Sequence, residues 1–280
     1  MDNTRLSVLM NSFYGYSELA SIAQEMIKEH FMGVDYEKQA ERYSFTRGIE
    51  PLVYTVLSHL LGPEEGDMVL DFGCGTGNYL QRLVSDYHID PYGVEPSESM
   101  RKSAQEKLPP DHIRAGNHKH IPFSVLFNNI FITDVMHHID QIDIMFQNLL
   151  QIALPGAKFC ICTESAQQLA EKYWNRYFPD ALDADLHRFH SIDKIIKMGQ
   201  SCGWVYKKTV STEDEQIAPI SPTFMARVEE RTLSVLHLIS DEAYYQGLLH
   251  MKGDFQNKIL IPQREGYTFV LFEKGQTNEI

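Results

Sequence analysis

The segment Val69-Leu-Asp71-Phe-Gly73-Cys-Gly75-Thr-Gly77-Asn-Tyr-Leu80 decides how this chain is read. A short apolar run ends in an acid, three glycines follow at alternate positions, and a helical pattern begins at Asn78. Glycine lets a backbone turn sharply and come close to a ligand without a Cβ in the way. The spacing does not complete the dinucleotide pattern G-x-G-x-x-G, because Asn78 occupies its last position. The Gly-Lys-Ser/Thr of a phosphate-cradling loop is also missing.

Outward from this unit, short apolar β-type runs alternate with helical stretches. Asp67–Asp71 leads through the glycine turn to a predicted helix over Asn78–Asp86. Tyr92–Glu95 precedes a predicted helix over Ser97–Lys107, and His112–Ala115 and Phe127–Thr133 are the next strands. A helix over Gln141–Ala153 is expected to end at Pro155-Gly156, before a fifth strand over Ala157–Thr163. Ser191–Cys202 reads as a helix closed by Gly203, and strands follow over Trp204–Ser211 and Tyr267–Lys274. This alternation predicts an α/β protein with a seven-stranded, mostly parallel sheet covered by helices on both faces. Residues 1–60, with helices over Leu19–His30 and Pro51–Leu61, and residues from about 219 to 255 stand outside it. With Ala166–Phe178 they are expected to cover the carboxyl edge of the sheet, where open α/β folds bind ligands. Their aromatic residues, among them Phe13, Tyr14, Tyr16, Tyr173, Trp174, Tyr177, Phe178, Phe224, Tyr244 and Tyr245, suit either helix packing or a ligand cover.

Composition narrows the class. The chain has 280 residues, 43% apolar and 22% charged, as in an ordinary globular protein. Its net charge of −13 repels phosphate backbones and anionic lipid, arguing against nucleic-acid or membrane-surface partners. No apolar run of about twenty residues is available to span a bilayer. The start, MDNTRLSVLM, lacks the apolar core of a secretory signal. Cys74, Cys160, Cys162 and Cys202 are too sparse for a disulfide framework, and Cys160 and Cys162 would share one face of a strand as buried thiols. A cytoplasmic location is the expectation.

The glycine segment resembles the first motif of the class I S-adenosylmethionine-dependent methyltransferases, apolar-apolar-D-x-G-x-G-x-G. The resemblance implies a Rossmann-like core, S-adenosyl-L-methionine as cofactor and S-adenosyl-L-homocysteine as product. It assigns Asp71, Gly73, Gly75 and Gly77 to the amino-acid end of the cofactor, where a carboxylate suits the ammonium. Glu95-Pro-Ser-Glu-Ser-Met100 resembles the family's E/D-x-S-x-x-M, so Glu95 would take the ribose hydroxyls and Pro96 and Met100 the adenine faces. Ala115–Phe123 resembles G-D-A-x-x-L-P-F. Asn117 stands where the family has an acid, its amide oxygen expected to accept from the adenine amino group, and the backbone of His118 would meet the ring. Upstream, Asp35–Arg47 resembles the family's entry helix, F-D-x-x-A-x-x-Y-D-x-x-R-P. This implies that Tyr43 and Arg47 reach the methionine carboxylate, with Gly48 where the family has proline. Asp71 as a turn-capping acid and Glu95 as a mere helix-N-terminal acid are the bland alternatives. Three matches in the right order favour the cofactor site.

Phe127–Ile139 resembles F-D-x-V-x-S-x-x-x-L-H-H-L of the small-molecule, methyltransferase-11-like enzymes, which sets Thr133 and Asp134 opposite the sulfonium. The Asn-Pro-Pro of base-nitrogen enzymes and the Pro-Cys of cytosine-C5 enzymes are absent, no Asp-Asn pair of the metal-dependent catechol enzymes follows this strand, and the cysteine placement does not suit arsenic methylation. Methyl transfer is an in-line displacement, so the protein must align the acceptor and, for a hydroxyl, remove a proton. His137 and His138 are candidate bases because imidazole titrates near neutrality. Glu164, after the fifth strand, is a candidate orienting group or base, and His187 and His190 are further histidines. No spacing diagnostic of a metal site is present, and none is expected.

The expected activity is methylation of a hydroxyl or amine on a small, partly apolar metabolite. The alternatives are a carboxylate or carbon acceptor, or a cofactor-binding protein that regulates a partner without turnover. The expected organisation is an N-terminal helical lid over 1–60, a cofactor-binding core over 61–218 with a helical insert at about 165–186, a helical cap over 219–262, and the last strand and tail over 263–280.

Overall fold

A computed structural model describes residues 48–276 of the chain. Strand β1 (Met68–Phe72) is buried on both sides, which is why its sequence is a continuous apolar run and not an alternating one. Around it lie β2 (Asp90–Val94), β3 (Ile113–Arg114), β4 (Phe127–Thr133), β5 (Ala153–Thr163), β6 (Trp204–Ala218) and β7 (Ile261–Lys274). The sheet order is β3-β2-β1-β4-β5-β7-β6. The first five strands are parallel, and β7 runs antiparallel to both β5 and β6. The order reverses between β1 and β4, which opens a crevice at the carboxyl ends of those strands.

Side chains alternate between two cores. On one face, Ile130, Ile132, Phe159, Ile161, Val270 and Phe272 pack with α4 (Ile142–Gln151) and α7 (Ile192–Ser201). On the other, Val69, Phe131, Cys160, Cys162, Phe269 and Leu271 pack with α1 (Pro51–Leu61) and α2 (Asn78–Tyr87), while α3 (Glu98–Gln105) contributes Ala104. Cys160 and Cys162 share a face and are free, buried thiols, as the two-residue period requires.

Three expectations need correction. The helix predicted over Gln141–Ala153 ends at Gln151, and Pro155-Gly156 lies inside β5, where the pairing with β4 slips between Phe127 and Asn129. An irregularity of this kind accommodates a proline that a regular ladder would reject. Second, β6 and β7 are much longer than predicted. The charged stretch Thr212–Ala218 lacks a strand-like apolar pattern, yet pairs along its length with Ile261–Tyr267. Third, Pro51–Leu61, grouped with a lid, packs flat on the sheet through Val53, Leu57, Leu60 and Leu61, one apolar face at helical spacing. The rest of the expected lid, including Leu19–His30, Phe13, Tyr14 and Tyr16, lies outside the described residues.

The extended β6–β7 hairpin runs past Thr163, the last residue of β5, and carries a third core. This core joins α6 (Pro179–Arg188), α8 (Pro222–Glu229) and α9 (Asp241–Gln256) with their connecting turns, and α5 (Ala166–Glu171) packs beside it on α6 and β7. Tyr173, Trp174, Tyr177, Phe178 and Tyr244 are buried within it, whereas Tyr245 is 62% exposed. Gln263 ties its base by donating to the carbonyls of Ala218 and Pro219, each at 3.1 Å.

Candidate active site

Asp71 lies within β1 one residue before its end, at the switch point, 1% exposed, and its Oδ1 has no hydrogen-bond partner among the described residues. Burial, and then the nearby charge of Glu95, push its carboxyl well above the ordinary carboxylate range. A buried polar group left alone is costly, so the arrangement calls for a donor or a cation from a ligand. The glycine loop over it is held from β2. Gly73 and Cys74 donate their N–H groups to the Val94 carbonyl at 2.8 and 3.1 Å. Glu95, 6% exposed, accepts from Gly75 N–H at 2.9 Å through Oε2 and from Ser97 N–H at 2.8 Å through Oε1. Glu95 therefore shapes the loop.

Gly77 enters α2 at φ +77°, and a Cβ there would lie 2.9 Å from Leu108 Cδ1. Gly75 is different: among the described residues a Cβ there would meet only Met100 Sδ, at 4.0 Å, so they leave the space beside it open. Met100 is buried after the Ser97 cap of α3, and Pro96 is exposed.

Asn117 departs from its expected use. Its Oδ1 accepts the N–H groups of Lys119 at 2.9 Å and His120 at 3.2 Å, closing a tight turn. The oxygen expected to receive the adenine amino group is thus engaged by its own loop, because a short amide reaches the backbone two residues on more readily than a distant partner. The His118 carbonyl accepts from Asn148 at 2.8 Å, and its ring, 14% exposed, places Nε2 3.5 Å from Asp140. Tyr43 and Arg47 lie outside the described residues.

At the acceptor end, Thr133 closes β4 and Asp134 follows in the left-handed region at φ +57°, which aspartate tolerates better than most residues. The turn Met136–His138 comes next. The His137 ring stacks on Phe189 at 4.4 Å and touches His138 at 4.1 Å, and His138 is exposed. Glu164, beyond the end of β5, is 13% exposed and receives Lys172 Nζ on Oε2 at 2.8 Å. Burial pushes its carboxyl up, Lys172 opposes this, and the charges of Asp134 and Asp185 add to it. Burial first and Asp134 next also raise the Tyr79 and Tyr267 phenols. Asp134, Glu164, Tyr79 and Tyr267 therefore share one electrostatic neighbourhood.

His187 and His190 stay apart from it. His187 is exposed with Nδ1 2.6 Å from the Asp183 carbonyl, and His190 places Nε2 2.7 Å from the Ile139 carbonyl. Among the described residues no three His, Cys, Asp or Glu side chains form a set able to hold a metal ion. No described helix is long and apolar enough to cross a membrane. The sequence reading missed Lys172. The Ser165–Gln168 capping box, which starts the helix that Lys172 ends, is the one local signal that placed it near Glu164.

Comparison with known proteins settles the family. Residues 45–208 match a family model described as a methyltransferase domain. The chain belongs to that family. A curated relative from Anoxybacillus flavithermus, an uncharacterized methyltransferase, is 36% identical over 93 residues. That stretch is 33% of this chain and 41% of the relative, so the match spans less than half of the relative's length. Among solved structures, a putative methyltransferase from an antibiotic biosynthesis pathway of Anabaena variabilis shares the fold at TM-score 0.61 and 20% identity, covering 81% of this chain and 98% of that one. Phosphoethanolamine N-methyltransferase 2 of Haemonchus contortus, solved with phosphomonomethylethanolamine and S-adenosylhomocysteine, follows at TM-score 0.53 and 17% identity, covering 89% and 60%. In this methyltransferase-domain chain the residues present fit S-adenosylmethionine. The orphaned Asp71 oxygen beside a second buried carboxylate suits a cationic amino acid, and the open space at Gly75 admits it.

Proposed function

We propose that this chain is an S-adenosylmethionine-dependent methyltransferase that acts on a hydroxyl or amine of a small, partly apolar molecule. The cofactor supplies a methyl group on a sulfonium, an excellent leaving group, which leaves alignment and proton removal to the protein. The carrying observation is the pair of carboxylates at the ends of neighbouring strands. Asp134 follows β4, Glu164 follows β5, and Glu164 is sheltered enough for burial to raise its basicity. A carboxylate with a raised pKa is a competent base near neutral pH. In this reading Glu164 takes the acceptor proton, Asp134 orients the acceptor, and His137, stacked on Phe189, forms a wall. Asp71 and Glu95 hold the cofactor, with Gly73, Gly75 and Gly77 shaping the loop, Met100 beneath it, and Pro96, His118 and Thr133 along its edge. The cap over 219–262 and the insert at about 165–186 cover the acceptor.

The net charge of −13 and the bound small molecule of the Haemonchus relative support a small acceptor over nucleic acid. Tritiated-methyl transfer into metabolite extracts is the test. Labelled product from the wild type, abolished in Glu164→Gln and retained in His137→Ala and His138→Ala with cofactor affinity unchanged, is expected. Loss in a histidine variant instead moves the base to that histidine. Cofactor binding with no labelled product at all refutes the enzyme reading in favour of a non-catalytic binding role.

A further inference from the structure

Lys172 has no part in the family motifs, yet it joins the third core to the acceptor end. It caps α5, and its backbone bridges to Arg264 of β7. Its ammonium, on a side chain 18% exposed, lies 2.8 Å from Glu164 Oε2 and 4.0 Å from Asp185 Oδ2. It also sits over two rings, 5.4 Å from the centre of Trp174 and 5.9 Å from that of Phe189. Phe189 in turn stacks on His137. Asp185 is 4% exposed at its side chain and is held by Arg188 at 2.7 Å, so it serves as a fixed counter-charge that limits where the ammonium goes.

We propose that Lys172 is a positioning residue for Glu164: it fixes Oε2 and leaves Oε1 to receive the acceptor proton. The inference rests on the reading of Glu164 as base. The groups that act on Glu164 come from several elements: Asp134 beyond β4, Lys172 at the end of α5, and Asp185 on α6, while Glu164 itself acts on Tyr267 of β7. Of these, only Lys172 favours the charged carboxylate, and burial, Asp134 and Asp185 all oppose it. An ammonium at hydrogen-bond distance, flanked by two rings, therefore opposes what burial and the two acids do to the carboxyl. The proton balance is simple. The acceptor O–H or N–H gives its proton to Oε1 as its new bond to the methyl carbon replaces the carbon–sulfur bond, whose electron pair leaves with sulfur, and Glu164 becomes the neutral acid.

The full chain carrying 13C-labelled glutamate is titrated by NMR as wild type, Lys172→Met and Lys172→Arg, with Glu164→Gln assigning the resonance. Binding of S-adenosylhomocysteine confirms that each variant is folded. The Glu164 midpoint is expected to rise by roughly one to three pH units in Lys172→Met, the range for loss of an adjacent opposite charge, and to return in Lys172→Arg. Labelled methyl transfer into metabolite extract should fall in Lys172→Met at pH values below the raised midpoint, by up to about tenfold per unit, and recover as pH rises above it, since below the midpoint each unit is a tenfold change in ionised fraction. A midpoint that does not move in Lys172→Met overturns the inference. A midpoint that moves while Glu164→Gln transfers methyl at the wild-type rate overturns Glu164 as base, and with it any part for Lys172 in the reaction.

Discussion

Replacing Asp71 by asparagine should make the cofactor-free protein more stable and the cofactor bind more weakly. Asp71 is 1% exposed, one oxygen has no hydrogen-bond partner among the described residues, and the Glu95 charge is close, so its folded pKa stands well above its ordinary 3.8. A raised acid pKa means that the native state keeps a proton the unfolded chain has already released. The contribution to stability is therefore present at low pH and is lost as pH rises from about 3.8 toward the folded value. Within that window the loss reaches about 1.4 kcal/mol per pH unit. Asparagine keeps the shape and cannot ionise, so this slope disappears, and the variant should be the more stable of the two at neutral pH. The ligand side has the opposite sign. A hydrogen bond to a charged group is worth about 1.5–3 kcal/mol, so affinity for S-adenosylhomocysteine should fall about 10- to 150-fold. Urea titrations of the cofactor-free protein between about pH 4.5 and about pH 8, paired with calorimetry, read both quantities. Equal pH slopes and equal affinities in wild type and Asp71→Asn would refute the reasoning.

Other substitutions test the frame around the site. Gly77→Ala meets a left-handed backbone worth about 1–2 kcal/mol and a Cβ 2.9 Å from Leu108, so denaturant titration should show a loss of at least that size and calorimetry weaker cofactor binding. Trp204→Phe removes the 3.0 Å bond from the indole to the Phe146 carbonyl and leaves a gap between β6 and α4, costing about 1–3 kcal/mol in the denaturation midpoint. Ser165→Ala breaks the capping box of α5 and should cost about 1 kcal/mol by the same measurement.

Much of the sheet was legible because its signals are local. Phe127–Thr133 forms a strand at the bounds its pattern predicts, since the apolar run Ile130–Ile132 with Phe127 before it suits burial on both faces. The glycine loop was legible for a similar reason: acid, glycines and helix start lie within ten residues. The polar half of the β6–β7 hairpin was not, since Thr212–Ala218 has no apolar period and owes its strand to hydrogen bonds from residues some fifty positions on. Asn117 misled because the residue type suits either a ligand or a turn, and only the folded loop shows the turn taking its oxygen.

The sequence by itself determined the strand order along the chain, the acid-and-glycine loop and the carboxylates at successive strand ends, because each depends on neighbours a few residues apart. Tertiary structure decided how those carboxylates are charged and held. One oxygen of Asp71 is left without a hydrogen-bond partner among the described residues, beside Glu95, while Glu164 is given Lys172 from another element. Charge state depends on burial and on contacts closed only when separate helices and strands pack together, and no local pattern encodes that.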